Sequence, residues 1–157
     1  MTCTGSWDAE QVAGEAVDPT GLTLTVTYQD SSTRDVTSDV TVSPETWDGT
    51  PGSQTATFSY TEGGLTKTTT KAATVIGRVA DPEISCTENT VTMTCDTASA
   101  TIYYTDDGTT PTAESTAYSD AIEITETTTF KAIAVKADMA DSHVVTEECE
   151  YVAPAEP

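Results

Sequence analysis

Apolar and polar residues alternate along several short stretches in the first half of the chain. From Leu22 to Tyr28, leucine, valine and tyrosine occupy every second position, and threonines occupy the positions between them. This period of two predicts a strand with one buried and one exposed face. Similar stretches follow, through Arg34 and Val36, Val40 and Val42, Thr55 to Tyr60, and Leu65 to Val75. They are separated by turn residues, so five or six short strands in a β-sandwich are predicted.

The first residues and the turns add three expectations. Met1 to Glu15 is loosely patterned, with Trp7 as its only large apolar anchor. We expect this arm, or the exposed edges of the sandwiches, to contact other protein subunits. Trp47 lies in a cluster of turn residues and is predicted to close one end of the core. Glu62-Gly63-Gly64 is predicted to form a hairpin turn.

The second half repeats the alternation of apolar and polar residues. In the run ATIYYTDDGTTPT (100–112), Ile102 and Tyr104 fall on one face and Tyr103 on the other, before an Asp-Asp-Gly turn. The run FKAIAVK (130–136) is apolar on both faces, which favours a central strand. The other predicted strands are 84–87 and 91–95 around a turn at Glu88-Asn89, short strands near Tyr118 and Ile122 to Ile124, and a last strand from His143 to Tyr151.

Between the halves, Gly77 and Asp81-Pro82 interrupt the strand pattern. We therefore predict an all-β chain of two tandem immunoglobulin-like β-sandwiches, residues 1–76 and 77–157, with Ala153 to Pro157 as a tail or linker.

The first half resembles the bacterial Ig-like domain of the group-3 type over about Ala13 to Val75. The resemblance is carried by Val17-Asp18-Pro19-Thr20-Gly21-Leu22-Thr23, Thr25-Val26-Thr27-Tyr28, Pro51-Gly52-Ser53-Gln54-Thr55 and Tyr60-Thr61-Glu62-Gly63-Gly64. The chain departs from that pattern at Asp30-Ser31-Ser32, where a glycine is more common. The resemblance implies a spacer or adhesion role without chemistry.

The second half resembles the domain found at the C-terminus of chitobiases and hexosaminidases, over almost all of Asp81 to Tyr151. The matching residues are Pro82 to Ser85, Ala100 to Gly108, Thr110-Pro111-Thr112, Tyr118, Thr129 to Lys136 and Asp141-Ser142. The resemblance implies a seven-stranded Ig-like or fibronectin-like sandwich that accompanies glycosidases and surface proteins without carrying hydrolytic residues.

The net charge of the chain limits the classes of partner that it could bind. The chain has 26 acidic and 6 basic residues, a formal net charge of −20. Such a field repels phosphate backbones and anionic lipid, so we expect neither nucleic-acid binding nor membrane insertion. Met1 to Gly5 does not resemble a signal peptide, so either the protein is not exported by that route or its signal precedes this sequence.

Four cysteines leave the disulfide pattern open. Cys86 and Cys95 lie on predicted neighbouring strands and Cys149 on the last one, so a disulfide among these three is expected about as readily as buried free thiols. Cys3 is the fourth. No Cys-x-x-Cys or His/Cys spacing favours zinc.

No pattern predicts catalysis, a cofactor or a metal. Asp106-Asp107-Gly108 lacks the ligand register of a calcium loop and fits a tight turn. His143, the only histidine, is expected on a surface strand beside Asp141-Ser142. Glu147 and Glu148 fall on opposite faces of a strand and do not converge.

Tyr103 and Tyr118, with Tyr104, are the candidate aromatic contacts for a glycan or a partner, although core packing is the favoured interpretation. We expect a non-enzymatic structural or adhesion protein on a virion surface, as a phage head decoration or tail-associated subunit that touches host glycans weakly. Its partners would be other protein subunits. The alternative is a module pair from an exported bacterial adhesin or a modular glycoside hydrolase, outside the cell, as a spacer or carbohydrate-binding accessory.

Overall fold

The computed structural model describes residues 1–153, which form two compact β-sandwich units. The first is Met1–Gly77 and the second begins at Arg78. Among the described residues the chain contains strands and one 3-10 turn, Thr37–Asp39, but no α-helix. The predicted all-β class with tandem sandwiches is therefore confirmed. Of the predicted tail, residues 154–157 lie outside the described residues.

The first unit stacks a three-stranded sheet on a four-stranded sheet. Their strand orders are β1-β3-β4 and β2-β7-β6-β5, and all pairs are antiparallel except β2 with β7. The strands are β1 (Thr2–Gly5), β2 (Gln11–Val12), β3 (Leu22–Thr27), β4 (Thr33–Asp35), β5 (Thr41–Ser43), β6 (Gly52–Glu62) and β7 (Leu65–Ile76).

Alternation in β3 and β6 produces the core of the first unit. Leu22, Leu24 and Val26 are buried while the threonines between them are exposed or half-buried, as predicted. Phe58 is fully buried from the opposite sheet, and Trp47, 2% exposed, packs in the same cluster. The hairpin between β6 and β7 turns through Gly63 and Gly64, whose φ angles of 57° and 80° are those that a two-residue turn requires.

The prediction that Met1 to Glu15 is a loosely patterned arm is wrong. This segment contributes β1, which pairs with β3, and β2, which pairs in parallel with β7. Trp7 donates its indole N–H to the Ala72 carbonyl at 2.8 Å. Its ring meets the Trp47 ring edge to face at 5.9 Å. Strands of two to four residues are too short to show an alternating pattern, so the sequence did not reveal them.

Gln11 is a buried polar residue, 3% exposed, whose amide is fully hydrogen-bonded. Its Nε2 donates to the carbonyls of Ala9 at 3.0 Å and Asp18 at 3.2 Å. Its Oε1 accepts from the Asp18 N–H at 3.2 Å and from the Trp47 indole N–H at 2.9 Å. One side chain therefore ties β2 to the core tryptophan and to the segment before β3.

We predict that Gln11→Met lowers the free energy of unfolding by about 3 kcal/mol, because it leaves the buried Trp47 N–H and nearby backbone groups without partners. Denaturant unfolding measures this loss. Gln29→Met, at an exposed position, should change stability by no more than about 0.5 kcal/mol. Equal, small effects of the two changes would contradict the role assigned to Gln11.

The second unit also has seven strands in two sheets, with orders β12-β9-β8 and β11-β10-β13-β14, all antiparallel. The strands are β8 (Glu83–Thr87), β9 (Thr90–Thr94), β10 (Thr101–Thr105), β11 (Thr116–Ala117), β12 (Ile122–Glu123), β13 (Thr128–Val135) and β14 (Val145–Cys149).

The strand with two apolar faces is central, as predicted, because β13 lies between β10 and β14. Phe130, Ala132 and Ala134 belong to the core cluster. Tyr104 packs on Phe130 with ring centroids 6.0 Å apart. Ile133 faces the other way and is nevertheless only 5% exposed.

The last strand is shorter than predicted. The observed strand, β14, spans Val145–Cys149, so His143 lies in the preceding loop and not on a strand. There the His143 N–H donates to Asp81 Oδ1 at 2.8 Å, and its ring Nδ1 lies 3.2 Å from the same oxygen. A partner 62 residues away holds this loop, which adjacent sequence could not indicate.

A disulfide joins Cys86 to Cys149, with Cα atoms 5.5 Å apart, and leaves Cys3 and Cys95 as free thiols. Cys86 lies on β8 and Cys149 on β14, which are the edge strands of the two different sheets. The bond therefore fastens one sheet of the second unit to the other.

We predict that the double change Cys86→Ala with Cys149→Ala lowers the free energy of unfolding by about 4 kcal/mol, because the bond closes a loop of 63 residues in the unfolded chain. The unfolding transition of the second unit within the full chain, followed in denaturant, measures this loss of free energy. Cys95→Ala is the matched control and should cost far less. If reduction with dithiothreitol left the wild-type midpoint unchanged, the stabilising role would be refuted.

Candidate functional site

An open groove of about 740 Å³ lies at one end of the first unit. Val26 and Tyr60, both nearly buried, contribute its apolar floor. Tyr28 directly follows β3 and Leu65 begins β7, so lining side chains come from both sheets. Both are unusually exposed for large apolar residues, at 37% and 72%.

The groove lies where the tip of the β6–β7 hairpin meets the end of β3. Cross-strand pairing places Lys67 opposite Tyr60 and Leu65 opposite Glu62. These side chains therefore share the inner face that carries Phe58 deeper in the unit. At the hairpin end Leu65 and Lys67 are exposed on this face, whereas Ala73 and Val75 farther along β7 are buried in the core.

A network of hydrogen bonds fixes the polar side of the groove. The Tyr28 hydroxyl donates to Glu62 Oε2 at 2.7 Å. Arg34 Nη1 donates to the Tyr60 hydroxyl at 3.0 Å and to Glu62 Oε1 at 3.3 Å. Arg34 also pairs with Asp39 at 3.1 Å, and its guanidinium lies 5.9 Å from the centre of the Tyr60 ring.

The network fixes the orientation of both tyrosine rings. The Glu62 carboxylate accepts a hydrogen bond from the Tyr28 hydroxyl and thereby raises the pKa of that phenol, while Arg34 opposes the effect. The same bond holds the Tyr28 ring at the groove wall. Apolar surfaces with a few fixed polar groups are typical of binding sites.

No sequence pattern singled out Tyr28, Leu65, Lys67 or Arg34 as site residues. Two signals were available: Tyr28 ends the apolar face of β3, and Leu65 is an apolar residue between a Gly-Gly turn and a threonine-rich strand. Their convergence depends on the register of β6 with β7 and on the stacking of the sheets, which no local pattern encodes.

Tyr103 and Tyr118, the predicted contact residues, do not form one platform. Tyr103 pairs with Ile133 and Ala117 on the outer face of its sheet. Tyr118 and Tyr104 pack against the core cluster of the second unit. The half-buried Tyr103 is the residue on which glycan contact through this sheet would depend.

The Asp106-Asp107-Gly108 segment forms a turn. Asp107 Oδ1 accepts hydrogen bonds from the N–H and the hydroxyl of Thr109, and Gly108 has a φ of 82°. Four other aspartates bind the second following Ser or Thr in the same way: Asp18, Asp30, Asp35 and Asp48. Among residues 1–153, no three or more acidic, histidine or cysteine side chains are grouped to hold a metal ion.

These hydrogen bonds lower the pKa of all five carboxyl groups, because the donors favour the charged form. At Asp107 the Thr109 hydroxyl has the largest effect. A pKa that is lower in the folded chain than in the unfolded chain adds stability above the ordinary aspartate range. That stability is lost as the pH falls through the folded pKa.

We predict that Thr109→Val raises the pKa of Asp107 toward its ordinary value. The variant should then lose less stability than the wild type when the pH is lowered. Carboxyl-carbon NMR during a pH titration measures the pKa directly. Thr110→Val removes a neighbouring hydroxyl that does not bind Asp107, so it should leave the titration unchanged. Identical Asp107 titrations in both variants would refute the assigned cause.

Among the described residues, no helix is long and apolar enough to cross a membrane.

Comparison with known proteins concerns the second unit. No curated protein matches the chain. Residues 81–146 match the family model of the chitobiase/beta-hexosaminidase C-terminal domain, so the second unit is similar to an accessory domain and not to a catalytic one. No family match supports the group-3 resemblance of the first unit, which stays a prediction.

Proposed function

We propose that this protein is a non-enzymatic structural and adhesion protein displayed on the outside of a particle, with a phage virion as its setting. The observation that carries the proposal is the Cys86–Cys149 bond. Disulfides persist in oxidising environments, among them secreted proteins, cell surfaces and virion surfaces, and are rare in the cytosol. A bond that fastens the two sheets of a small unit suits a protein that works outside the cell.

Surface charge supports display in many copies. The net charge of −20 keeps neighbouring molecules apart in solution and disfavours nucleic acid and anionic lipid as partners. Part of the small positive charge is also used internally: Lys71, Lys131 and Lys136 donate to backbone carbonyls of their own units. The partners that remain are protein subunits and uncharged glycans.

The positions of the titratable groups support a non-enzymatic role. Glu62 and Arg34 in the groove bind each other and the two tyrosines, so their hydrogen-bonding capacity serves orientation. His143 binds Asp81 in an exposed loop. Glu147 shares the face of Cys149 on β14, and Glu148 points to the other, so the two carboxylates do not converge.

The family match favours a second setting. A domain named for its place at the C-terminal end of chitobiases and β-hexosaminidases favours a module pair from an exported bacterial adhesin or a modular glycoside hydrolase. In that setting the two units would act as a spacer, or bind glycan weakly through Tyr103.

We predict that the protein isolated from its source under thiol-trapping conditions sediments with intact particles and carries two alkylated cysteines, Cys3 and Cys95. Gradient sedimentation and intact mass measure both properties. A longer polypeptide in the cell-surface fraction, with the same two labels, would replace the virion setting by the exported one. A cytosolic protein with all four cysteines alkylated would refute display outside the cell in either setting.

A further inference from the structure

The last strand of the first unit has a long open edge. β7 pairs with β6 along its whole length, from Leu65 to Val75. On its other side, among residues 1–153, β7 pairs with β2 alone, at Val75 and Ile76. Within this described part of the chain, the segment from Thr66 to Thr70 therefore has a sheet on one side and no strand on the other.

The register shows which backbone groups are unpaired. Residues in an antiparallel pair alternate between those that exchange hydrogen bonds and those whose groups point away. The Gly63-Gly64 turn makes Glu62 and Leu65 the first exchanging pair, so the even-numbered residues of β7 point outward. The outward carbonyls of Ala72 and Ile76 accept hydrogen bonds from the Trp7 indole N–H and the Ala13 N–H, in agreement with this register.

Thr66, Thr68 and Thr70 are consequently three successive residues with outward N–H and C=O groups. Within residues 1–153, no bond to these groups is present. All three side chains are exposed. A row of this kind is a template on which an extended chain can add as a further strand.

The groove adjoins this open edge. Leu65 and Lys67 belong both to β7 and to the groove lining. A strand added at Thr66 to Thr70 would direct every second side chain toward the inner face, where Leu65 and Tyr28 present exposed apolar surface. Backbone bonding at the edge and side-chain contacts in the groove would then act on the same bound segment.

Charge indicates the chemistry of that segment. Lys67 lies on the inner face and has no acidic partner within hydrogen-bond or ion-pair distance among the described residues. Lys71 follows it on the same face, but its ammonium already donates to the Gly5 carbonyl. In a chain with only six basic residues, Lys67 is therefore the position on this face at which an acidic side chain of a partner would be favoured.

We propose that the β7 edge between Thr66 and Thr70 binds an extended segment of a partner protein as an added strand, with an acidic side chain at Lys67 and an apolar one in the groove. This deepens the proposed structural function, on which it rests for the source of the partner. In a displayed protein, the segment would belong to a neighbouring subunit of the particle.

The test selects peptides from a random linear nonapeptide library on the immobilised full chain and measures their dissociation constants by fluorescence anisotropy. Selected peptides should carry an apolar and an acidic residue two positions apart, because both would lie on the inner face of the added strand. Thr68→Pro should weaken binding at least tenfold, because proline removes an outward N–H without disturbing the β6 ladder. Thr68→Val keeps that N–H and should bind like the wild type. Lys67→Glu should also weaken binding at least tenfold.

A second measurement keeps the proposal testable if Thr68→Pro fails to fold. Hydrogen exchange of the wild-type amides at Thr66, Thr68 and Thr70 should slow when the selected peptide is bound. Unchanged exchange at these amides, or selected peptides that bind Thr68→Pro as tightly as wild type, would overturn the proposal. Wild-type dimers that Thr68→Pro dissociates would replace the assigned partner by a second copy of the chain.

Failure of this proposal is distinct from failure of the proposed function. Peptide binding reports on the β7 edge wherever the protein is found, whereas sedimentation and thiol trapping report on location alone. A displayed protein whose edge binds no peptide would retain its structural role and lose this contact.

Discussion

Most strands of this protein have only one apolar face, and both sandwiches depend on that constraint. In β3, buried leucine and valine alternate with threonine, so the strand is stable only where a second sheet covers one side. The outer faces can then be polar, and threonine suits them because its branched side chain favours the pleated backbone. The exception is β13, where Ile133 is buried on the outer face opposite Tyr103. The tyrosine that suggested glycan contact is therefore the cross-strand partner of a buried isoleucine.

Alternation predicted the longer strands well because it records within each strand which face is to be buried. β3 and β6 were identified in this way, and the central β13 by its two apolar faces. β1 and β2 were missed because two to four residues cannot show a period. Gln11 was missed for a different reason: a glutamine is buried only when partners from distant positions satisfy its amide, and Trp47 is 36 residues away. Its sequence neighbours carry no sign of this.

The candidate site was less predictable than the fold. The groove combines the end of β3 with a hairpin tip from the other sheet, and the open edge of β7 follows from how little of it β2 covers. Both are consequences of register and of unequal strand lengths. The same holds for the disulfide: three cysteines were candidates, and only the positions of β8 and β14 as facing edges select Cys86 and Cys149. Sequence could supply the residue types, whereas topology decided which of them meet.

The disulfide also determines how the two units would respond to mechanical tension. If the chain is pulled from its two ends, force reaching the second unit passes from Cys86 directly to Cys149 through the covalent bond. The residues between them, a separation of 63, are bypassed and cannot be drawn out. Without the bond they would add roughly 200 Å of extended chain. The first unit, whose single cysteine is a free thiol, has no such bypass. Under load, the first unit would therefore be the extensible part of the molecule and the second an almost inextensible link.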